Sequence, residues 1–387
     1  MYPVSRSLLS IALAALLCSA AGLATTASAK QLSYAMGQPP GSISAKIGED
    51  YAKAVKDYTN GELTVKVYPL ALLNFAETSA GVRDGIADIG YLLAPYFPAE
   101  YPHSNMISEA SMLLTLMGDE IHGKEGMAYM GAVSEFTFFH CPECNKEFAK
   151  QNQVYTGSTG SSPYILQCTQ PVTNLEQLQG KRLRVGASNW SRWAKALGAT
   201  PITMSANEMH EALSQGVVDC IVLSVPEITN FGLMDTVSDI TRVVPGGIFA
   251  GTAVTNINRD TWQGLTDDER AALLHAAAIT SAATPWVYHQ RQEEILDQVK
   301  ANGGTIHQPS EQLVEKTRAF VRDDMKTIAS YYEDKYGVQD GAEMLATFRP
   351  ILDKWVKLVQ DVNSRQELID LYWKEIYSKV DPTTHGM

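Results

Sequence analysis

Hydrophobic residues recur along this chain with two periods, which alternate from one segment to the next. A short apolar run at 32–36 predicts a strand, apolar positions at 47–58 recur as on one face of a helix, and those at 63–67 alternate as in a second strand. A helix-like segment at 76–85 and a short buried strand at 87–92 follow. This order of strand, helix and strand predicts a sheet that is parallel at its centre.

The middle of the chain repeats the alternation. Short apolar runs that predict strands lie at 162–168, 182–185, 201–204, 217–225 and 252–256. Asn174 and Ser205 are residues that start helices, and Glu208 completes a capping box with Ser205. Trp193 and Leu197 share one face of a further helix, so strands and helices alternate here as well.

From residue 260 onward the pattern is helical. Thr266 and Ser310 occupy N-cap positions of two helices, and apolar residues at 352–362 recur at the spacing of a third. The core of these helices should include Trp355, Leu371 and Trp373. The pattern as a whole predicts a two-domain α/β protein with a helical C-terminal third.

The N-terminal segment 1–29 reads as an export signal. Arg6 is its one charged residue, an apolar run at 8–17 follows, and the segment closes on Ala27-Ser28-Ala29. The alternatives are a membrane anchor, for which the run is shorter than the roughly 20 residues of a span, and a lipoprotein, for which the two residues before Cys18 are too large. We expect cleavage after Ala29 and an exported, periplasmic chain.

Composition narrows the class of protein. The 387 residues are 45% hydrophobic, which is enough for more than one core. Lys and Arg number 31 against 43 Asp and Glu, a formal net charge of −12, and no basic cluster occurs. Because nucleic-acid binding needs clustered basic residues, we expect no nucleic-acid partner.

Four cysteines remain after export. An oxidising compartment permits disulfides, and we expect one between Cys168 and Cys220, which lie on candidate strands of one domain, and a local one between Cys141 and Cys144. Free thiols and a metal site stay open as alternatives, although the Cys141–Cys144 spacing lacks the second pair that zinc needs. Neither a metal nor a cofactor is expected.

Several short motifs occur in a specific order. Gly-Lys-Arg-Leu-Arg-Val at 180–185, Leu-Gly-Ala-Thr-Pro at 197–201 and EMHEALSQGVVD at 208–219 follow Thr-Asn-Gly-Glu-Leu at 59–63 and Gly-Ile-Ala-Asp at 85–88. In these motifs the chain resembles the substrate-binding proteins of TRAP transporters, the DctP family of periplasmic receptors. The resemblance implies a receptor rather than an enzyme. It would have a periplasmic binding protein-like fold, in which two domains close over a small organic acid in the cleft between them.

The resemblance also implies a domain organisation and a membrane partner. Behind the signal peptide, residues 30–153 and about 251–290 would form domain I, residues 154–250 domain II, and residues from about 291 to 387 a helical region packed across both. The closed receptor would deliver its ligand to the membrane subunits of a TRAP permease.

Arg184 is the candidate anchor for a ligand carboxylate. It lies where the family places its ligand-binding arginine, in a short predicted strand whose carboxyl end would face the cleft. A guanidinium group matches the geometry of a carboxylate with two parallel hydrogen bonds. A surface or interdomain salt bridge is the alternative role, and Arg182 is the main rival for the contact.

Departures from the family suggest an apolar pocket. Leu223 replaces the family's asparagine, Leu93 and Tyr96 fill its polar positions, Tyr164 lies near the place of a second arginine, and Ala206 replaces an aromatic residue. The pocket walls would be Tyr91, Tyr96, Trp190, Leu223 and Tyr164, with Trp190 as a packing residue in the alternative. An apolar pocket with one cation favours an apolar or aromatic monocarboxylate.

An exported hydrolase is the competing function. The sequence contains no Gly-x-Ser-x-Gly, His-Glu-x-x-His or Gly-x-x-x-x-Gly-Lys-Ser/Thr motif, but a catalytic pair of carboxylates stays open. A third reading is a sensor that presents its ligand to a membrane protein. Motifs in the sequence do not separate it from a transport receptor.

Overall fold

The computed structural model describes residues 29–387. The predicted export signal therefore lies outside the described residues except for Ala29. Within the described part of the chain, no helix combines the length and the apolar character needed to cross a bilayer.

The part of the chain that the structure describes contains twelve strands, which form two six-stranded sheets. In chain order the strands are β1 Lys30–Met36, β2 Leu63–Pro69, β3 Ile89–Leu93, β4 Gln153–Val154, β5 Ser158–Thr159, β6 Ile165–Cys168, β7 Arg182–Val185, β8 Thr200–Thr203, β9 Cys220–Leu223, β10 Asp239–Pro245, β11 Thr252–Asn258 and β12 Thr305–His307.

The first sheet has the order β2-β1-β3-β11-β4, and β5 also pairs with β11. β1 pairs in parallel with both β2 and β3, from Lys30 opposite Leu63 to Met36 opposite Pro69 on the β2 side. The predicted parallel centre is confirmed. β11 returns antiparallel to β3, which closes this sheet with a segment from later in the chain.

The second sheet has the order β12-β10-β6-β9-β7-β8. β7 runs parallel to β8 and β9, whereas β6 runs antiparallel to β9. Cys168 and Cys220 lie opposite each other in this last pair and form a disulfide with a Cα separation of 4.0 Å. Cys141 and Cys144 form the second disulfide, so both predicted pairings are confirmed.

Within residues 29–387, fourteen α-helices cover the two sheets. They are α1 Ile43–Tyr58, α2 Thr78–Arg83, α3 Pro102–Glu109, α4 Glu125–Phe139, α5 Pro142–Lys150, α6 Leu175–Leu178, α7 Ser188–Ala196, α8 Met209–Ser214, α9 Glu227–Asn230, α10 Arg259–Gln263, α11 Asp267–Ala301, α12 Glu311–Tyr336, α13 Gly341–Leu358 and α14 Arg365–Glu375.

The predicted helix starts occur where side chains cap the first turn. Asn174 accepts a hydrogen bond from Gln177 N at the start of α6, and Ser310 does the same from Leu313 N at α12. Thr266 and Glu269 form a capping box at α11. Ser205 and Glu208 form the other predicted box, which opens a 3₁₀ turn at Ala206–Glu208 immediately before α8.

The chain crosses between the sheets after β5 and returns before β11. The first crossing follows Thr159 rather than residue 153, because Ser158 pairs with Ala253 in the first sheet. The 35-residue helix α11 runs through the predicted boundary at 290, and β12 of the second sheet follows it. The two sheets support a division into two domains, whose limits remain a prediction.

The region between β3 and β4 contains helices that the sequence pattern did not predict. Helices α3, α4 and α5 occupy a region for which the pattern predicted no elements. α4 is buried over most of its surface, so it carries almost no amphipathic period.

Among the aromatic residues expected in the C-terminal core, Trp355 is fully buried, whereas Trp373 is half-buried and stacks on His275 with ring centroids 3.9 Å apart.

Candidate ligand-binding site

A cavity lies between the two sheets, at the carboxyl ends of their parallel strands. Residues at or just after the ends of these strands line it, and they include Gln38, Leu93, Arg184 and Leu223. About 40 Å³ of the cavity is open to the centres of water molecules, enough for roughly three waters or one compact molecule. This position is where open α/β sheets bind ligands.

Arg184 reaches the cavity from β7 and is almost fully buried, at 1% exposure. Its Nε and Nη2 donate to the Met204 carbonyl at 3.2 and 2.9 Å, and Nη2 also donates to the Tyr96 hydroxyl at 2.8 Å. Among the described residues Nη1 has no hydrogen-bond acceptor and the guanidinium group has no carboxylate partner. Gly186 leaves room beside it, since a Cβ there would lie 3.4 Å from Nη1.

The other arginines near this strand are engaged elsewhere. Arg182 lies at the start of β7 and forms a half-exposed pair with Asp219, with 2.6 Å between Nη2 and Oδ1. Arg192 contacts Glu109 at 2.8 Å and Asp324 at 2.7 Å in a buried network. Neither side chain lines the cavity, so Arg184 is the cation there among the residues that the structure describes.

Two aromatic groups form much of the cavity wall. Phe75 contacts Tyr91, Tyr96 and Phe231, with ring centroids 6.2 to 6.4 Å apart. On the opposite side Tyr164 and Phe249 line the cavity with near-parallel rings. Five of the six residues proposed from the sequence therefore meet at one cavity. Those five are Tyr91, Tyr96, Tyr164, Arg184 and Leu223.

Trp190 is the sixth, and it does not line the cavity. Its ring stacks on Tyr164 at a centroid distance of 4.2 Å, and its indole N–H donates to the Gly246 carbonyl at 3.0 Å. It is 1% exposed and supports Tyr164 from behind. Trp190 thus has the packing role that the sequence left open as the alternative. Helix α7 carries this side chain into the core around the second sheet.

Glu227 is a cavity residue that sequence reasoning missed. Its two carboxyl oxygens accept hydrogen bonds from the Tyr288 hydroxyl and from Asn230 Nδ2, both at 2.8 Å. Burial raises the pKa of Glu227, and these two hydrogen bonds and the Arg184 charge oppose that rise. A signal existed: Glu227 follows the buried strand β9 by four residues, at the same sheet end as Arg184.

Gln38 and Tyr91 add polar atoms to the same cavity. Gln38 is buried, and its Oε1 has no hydrogen-bond partner among the described residues. Burial raises the pKa of Tyr91, while hydrogen bonding with Ser44 and Gln38 opposes the shift. As far as the described residues line it, the cavity is thus apolar along its walls and carries one cation and several hydrogen-bond acceptors.

Hydrogen bonds across the cleft hold the two halves together. Asn207 donates from Nδ2 to the Gly37 carbonyl at 2.8 Å, and its Oδ1 accepts from Phe75 N at 3.2 Å. Asn230 accepts from Ile43 N at 2.9 Å. These bonds join loops of the first sheet to the second, so the molecule is in a closed conformation.

Two sheets that close over a buried cation define a two-domain solute-binding protein. The chain belongs to the DctP family, described as bacterial extracellular solute-binding protein, family 7, which matches residues 34–332. Members of this family are the solute receptors of TRAP transporters.

Individual relatives are distant. The C4-dicarboxylate-binding periplasmic protein DctP of Rhodobacter capsulatus is 25% identical over 228 residues, which are 53% of this chain and 68% of that protein. A TRAP solute-binding protein from a marine metagenome, specific for aromatic acid ligands and crystallised with 3-hydroxybenzoate, is 21% identical with a TM-score of 0.72 and covers 84% of this chain and 98% of its own.

A third relative is DctP7 of Bordetella pertussis, an extracytoplasmic solute receptor that binds pyroglutamic acid. It is 22% identical with a TM-score of 0.66, over 83% of this chain and 100% of its own. At these identities the two solved structures bear on the fold, and the predicted two-domain α/β architecture is confirmed.

Proposed function

We propose that this chain is a periplasmic receptor that captures a small organic acid by domain closure and delivers it to the membrane subunits of a TRAP permease. The observation that carries the proposal is Arg184, a buried guanidinium group at the cleft with no carboxylate partner among the described residues. A buried cation in this state lacks the partner that normally offsets its desolvation, and a ligand carboxylate would supply one.

The ligand we propose is a monocarboxylate with an apolar or aromatic body. Four aromatic rings of the cavity wall can contact such a body: Phe75, Tyr91, Tyr164 and Phe249. Each square ångström of apolar surface that binding removes from water contributes about 25 cal/mol to affinity. Arg184 is the one arginine that lines the cavity among residues 29–387, so a second buried carboxylate would have no matching cation there. The aromatic acid and pyroglutamic acid of two relatives are consistent with this class, whereas the name of the Rhodobacter relative indicates dicarboxylates.

The test is a calorimetric titration of the exported protein with monocarboxylates and dicarboxylates of similar size. Benzoate and isovalerate should bind more tightly than succinate and malate. Arg184→Ala should abolish detectable binding, Arg184→Lys should recover little because a bidentate contact is lost, and Arg182→Ala is the matched control that should retain affinity. Tight binding of dicarboxylates alone, or unchanged affinity in both Arg184 variants, contradicts the proposal.

Two further measurements address export and chemistry. We propose cleavage after Ala29, for which N-terminal sequencing of the exported protein should read Lys30 first. Chromatography of each bound acid and of its simple esters after prolonged incubation should return them unchanged. Catalytic turnover of an ester that depends on a cavity residue would instead favour the exported hydrolase.

A further inference from the structure

The cavity that holds Arg184 also holds a buried acid. Glu227 is 8% exposed and lines the cavity, and among residues 29–387 no lysine, arginine or histidine lies within ion-pair distance of it. An acid without a counter-ion at the centre of a cleft is costly unless hydrogen bonds or a ligand satisfy it. A ligand with a carboxylate and an otherwise apolar body would not explain why Glu227 is buried in this cavity.

The partners of Glu227 leave part of its capacity free. Tyr288 and Asn230 each donate one hydrogen bond, to different carboxyl oxygens, and the same Asn230 amide donates to the Tyr288 hydroxyl at 2.9 Å. Two donors aimed at the two oxygens favour the ionised carboxylate. A carboxylate has about four acceptor positions, so about two remain for a molecule in the cavity.

Gln38 provides a second hydrogen-bond acceptor in the same cavity. The side-chain carbonyl of Gln38 is buried with no donor among the described residues. Glu227 and Gln38 both lie at the ends of parallel strands, one in each sheet, and both line the cavity. The space between the two halves thus presents one acceptor without a donor among residues 29–387, Gln38 Oε1, and one carboxylate with acceptor capacity to spare, Glu227.

We propose that the ligand carries an O–H or N–H donor in addition to its carboxylate, with the carboxylate on Arg184 and the donor on Glu227. The inference rests on the proposed function and makes it more specific, since it assigns Glu227 as a specificity-determining residue. A hydroxy acid would satisfy the acceptor, and an acid with an ammonium group would in addition balance the two buried charges.

The experiment compares acids that differ by one donor. The probes are butyrate with 4-hydroxybutyrate and 4-aminobutyrate, and benzoate with its 3-hydroxy and 3-aminomethyl derivatives, titrated into the wild-type protein by calorimetry. At least one donor-bearing acid should bind about ten- to a hundredfold more tightly than its parent, because a hydrogen bond to a charged group contributes that much.

Two variants at the same position identify the donor's partner. Glu227→Leu should reduce the preference to about one, and Glu227→Gln should keep it for a hydroxyl, which the amide oxygen still accepts, but lose it for an ammonium group. Glu211→Gln, at an exposed acid on α8, should change nothing. Because the wild-type ratios need no variant, the proposal is testable even if Glu227→Leu fails to fold.

The outcomes separate this inference from the function on which it rests. If acids bind through Arg184 but those with donors bind no more tightly than their parents, or if the Glu227 variants keep the wild-type ratios, Glu227 only positions Tyr288 and Asn230 and the inference is wrong. If none of the acids binds in an Arg184-dependent manner, the proposed function is wrong and the inference falls with it.

Discussion

Tyr96 and Arg184 are hydrogen-bonded to each other across the cavity. Tyr96 lies just after β3 of the first sheet. Its hydroxyl oxygen accepts hydrogen bonds from Arg184 Nη2 and from the Ala206 backbone N–H, both at 2.8 Å. A single oxygen atom thus satisfies two donors of the second sheet. This links the position of the Arg184 guanidinium group to the closed arrangement of the two halves.

Tyr96→Phe should therefore weaken ligand binding. Without the hydroxyl, the closed state leaves two donors unsatisfied, which costs about 1–2 kcal/mol and lowers affinity about five- to thirtyfold. Calorimetry with the acid that binds most tightly measures the effect. Tyr58→Phe, at a half-exposed ring that stacks on His275, is the control and should bind like the wild type. Equal affinity in both variants would show that the bridge does not contribute to closure.

Gly186 keeps space open beside the Arg184 guanidinium group. Its backbone does not require glycine, but a Cβ there would lie 3.4 Å from both Nη1 and Nη2. Gly186→Ala should leave the melting temperature nearly unchanged and lower the affinity for carboxylates, and Gly186→Val should lower it further. Gly264→Ala, at a helix end remote from the cavity, is the control. A Gly186→Val protein that folds and binds normally would mean that ligands do not use this edge of Arg184.

Arg192 contributes to stability rather than to binding. It lies between Glu109 and Asp324, which are 3% and 6% exposed, and neither of these acids lines the cavity. Arg192→Met would leave two buried carboxylates without a cation and should lower the free energy of unfolding by about 3–5 kcal/mol. Arg182→Met removes a half-exposed pair and should cost at most about 1 kcal/mol. Urea denaturation of the two variants measures the difference, and similar losses would contradict it.

The two disulfides should differ in their effect on stability. Cys168–Cys220 closes a separation of 52 residues and Cys141–Cys144 one of 3. In the chain-entropy treatment the first stabilises by about 4 kcal/mol and the second by about 2 kcal/mol. Thermal unfolding of the paired variants C168A/C220A and C141A/C144A should rank them in this order, and the reverse ranking would contradict the prediction.

His103 should make stability depend on pH. Its Nδ1 lies 2.6 Å from Glu147 Oε1 and its Nε2 3.3 Å from Asp340 Oδ1. Burial disfavours protonation, but the hydrogen bond and charge of Glu147, with that of Asp340, outweigh it and raise the pKa of His103. Protonated His103 adds to the free energy of unfolding, and this contribution is fully present below the unfolded-state pKa of about 6.5. It is lost as the pH rises through the higher folded-state pKa.

The matching measurement is the melting temperature of His103→Gln relative to the wild type. The variant should lose more at pH 5.5 than at pH 9. His210→Gln, at an exposed position, should show no such trend. A difference that is constant across this range would mean that the two carboxylates do not act on His103.

Periodicity and caps are local, which is why they predicted most of the fold. The β1–α1–β2 order, the capping box at Ser205 and the Cys168–Cys220 pairing all follow from residues that are close in sequence or on neighbouring strands. Helix α4 is buried over most of its surface and has no polar face to mark its period, and so it was not predicted. Its burial depends on contacts with α11 and α13, which lie more than a hundred residues away.

The site shows the same limit. Arg184 was identified from its place in a family motif and Leu223 from a departure from one, and the strand ends bring the two residues together. Tyr288 lies in the middle of α11, where nothing local distinguishes it from a core residue, and its bond to Glu227 exists only once the helix crosses the cleft. The sequence predicted Trp190 and Tyr164 as wall residues. It could not show that Tyr164 lies between Trp190 and the cavity, because that order depends on how the two rings stack in the folded chain.

The amide of Asn207 has a consequence for how fast a bound molecule can leave. Both ends of that amide are used on the far side of the cleft, by Gly37 and Phe75, and Arg184, Glu227 and most other lining residues are buried. The cleft cannot open without breaking these bonds, so they oppose the departure of a molecule from the cavity. Its departure is then a first-order event that an excess of competitor does not hasten. A membrane partner that loosens the Asn207 bridge would set the time of release without contacting the cargo.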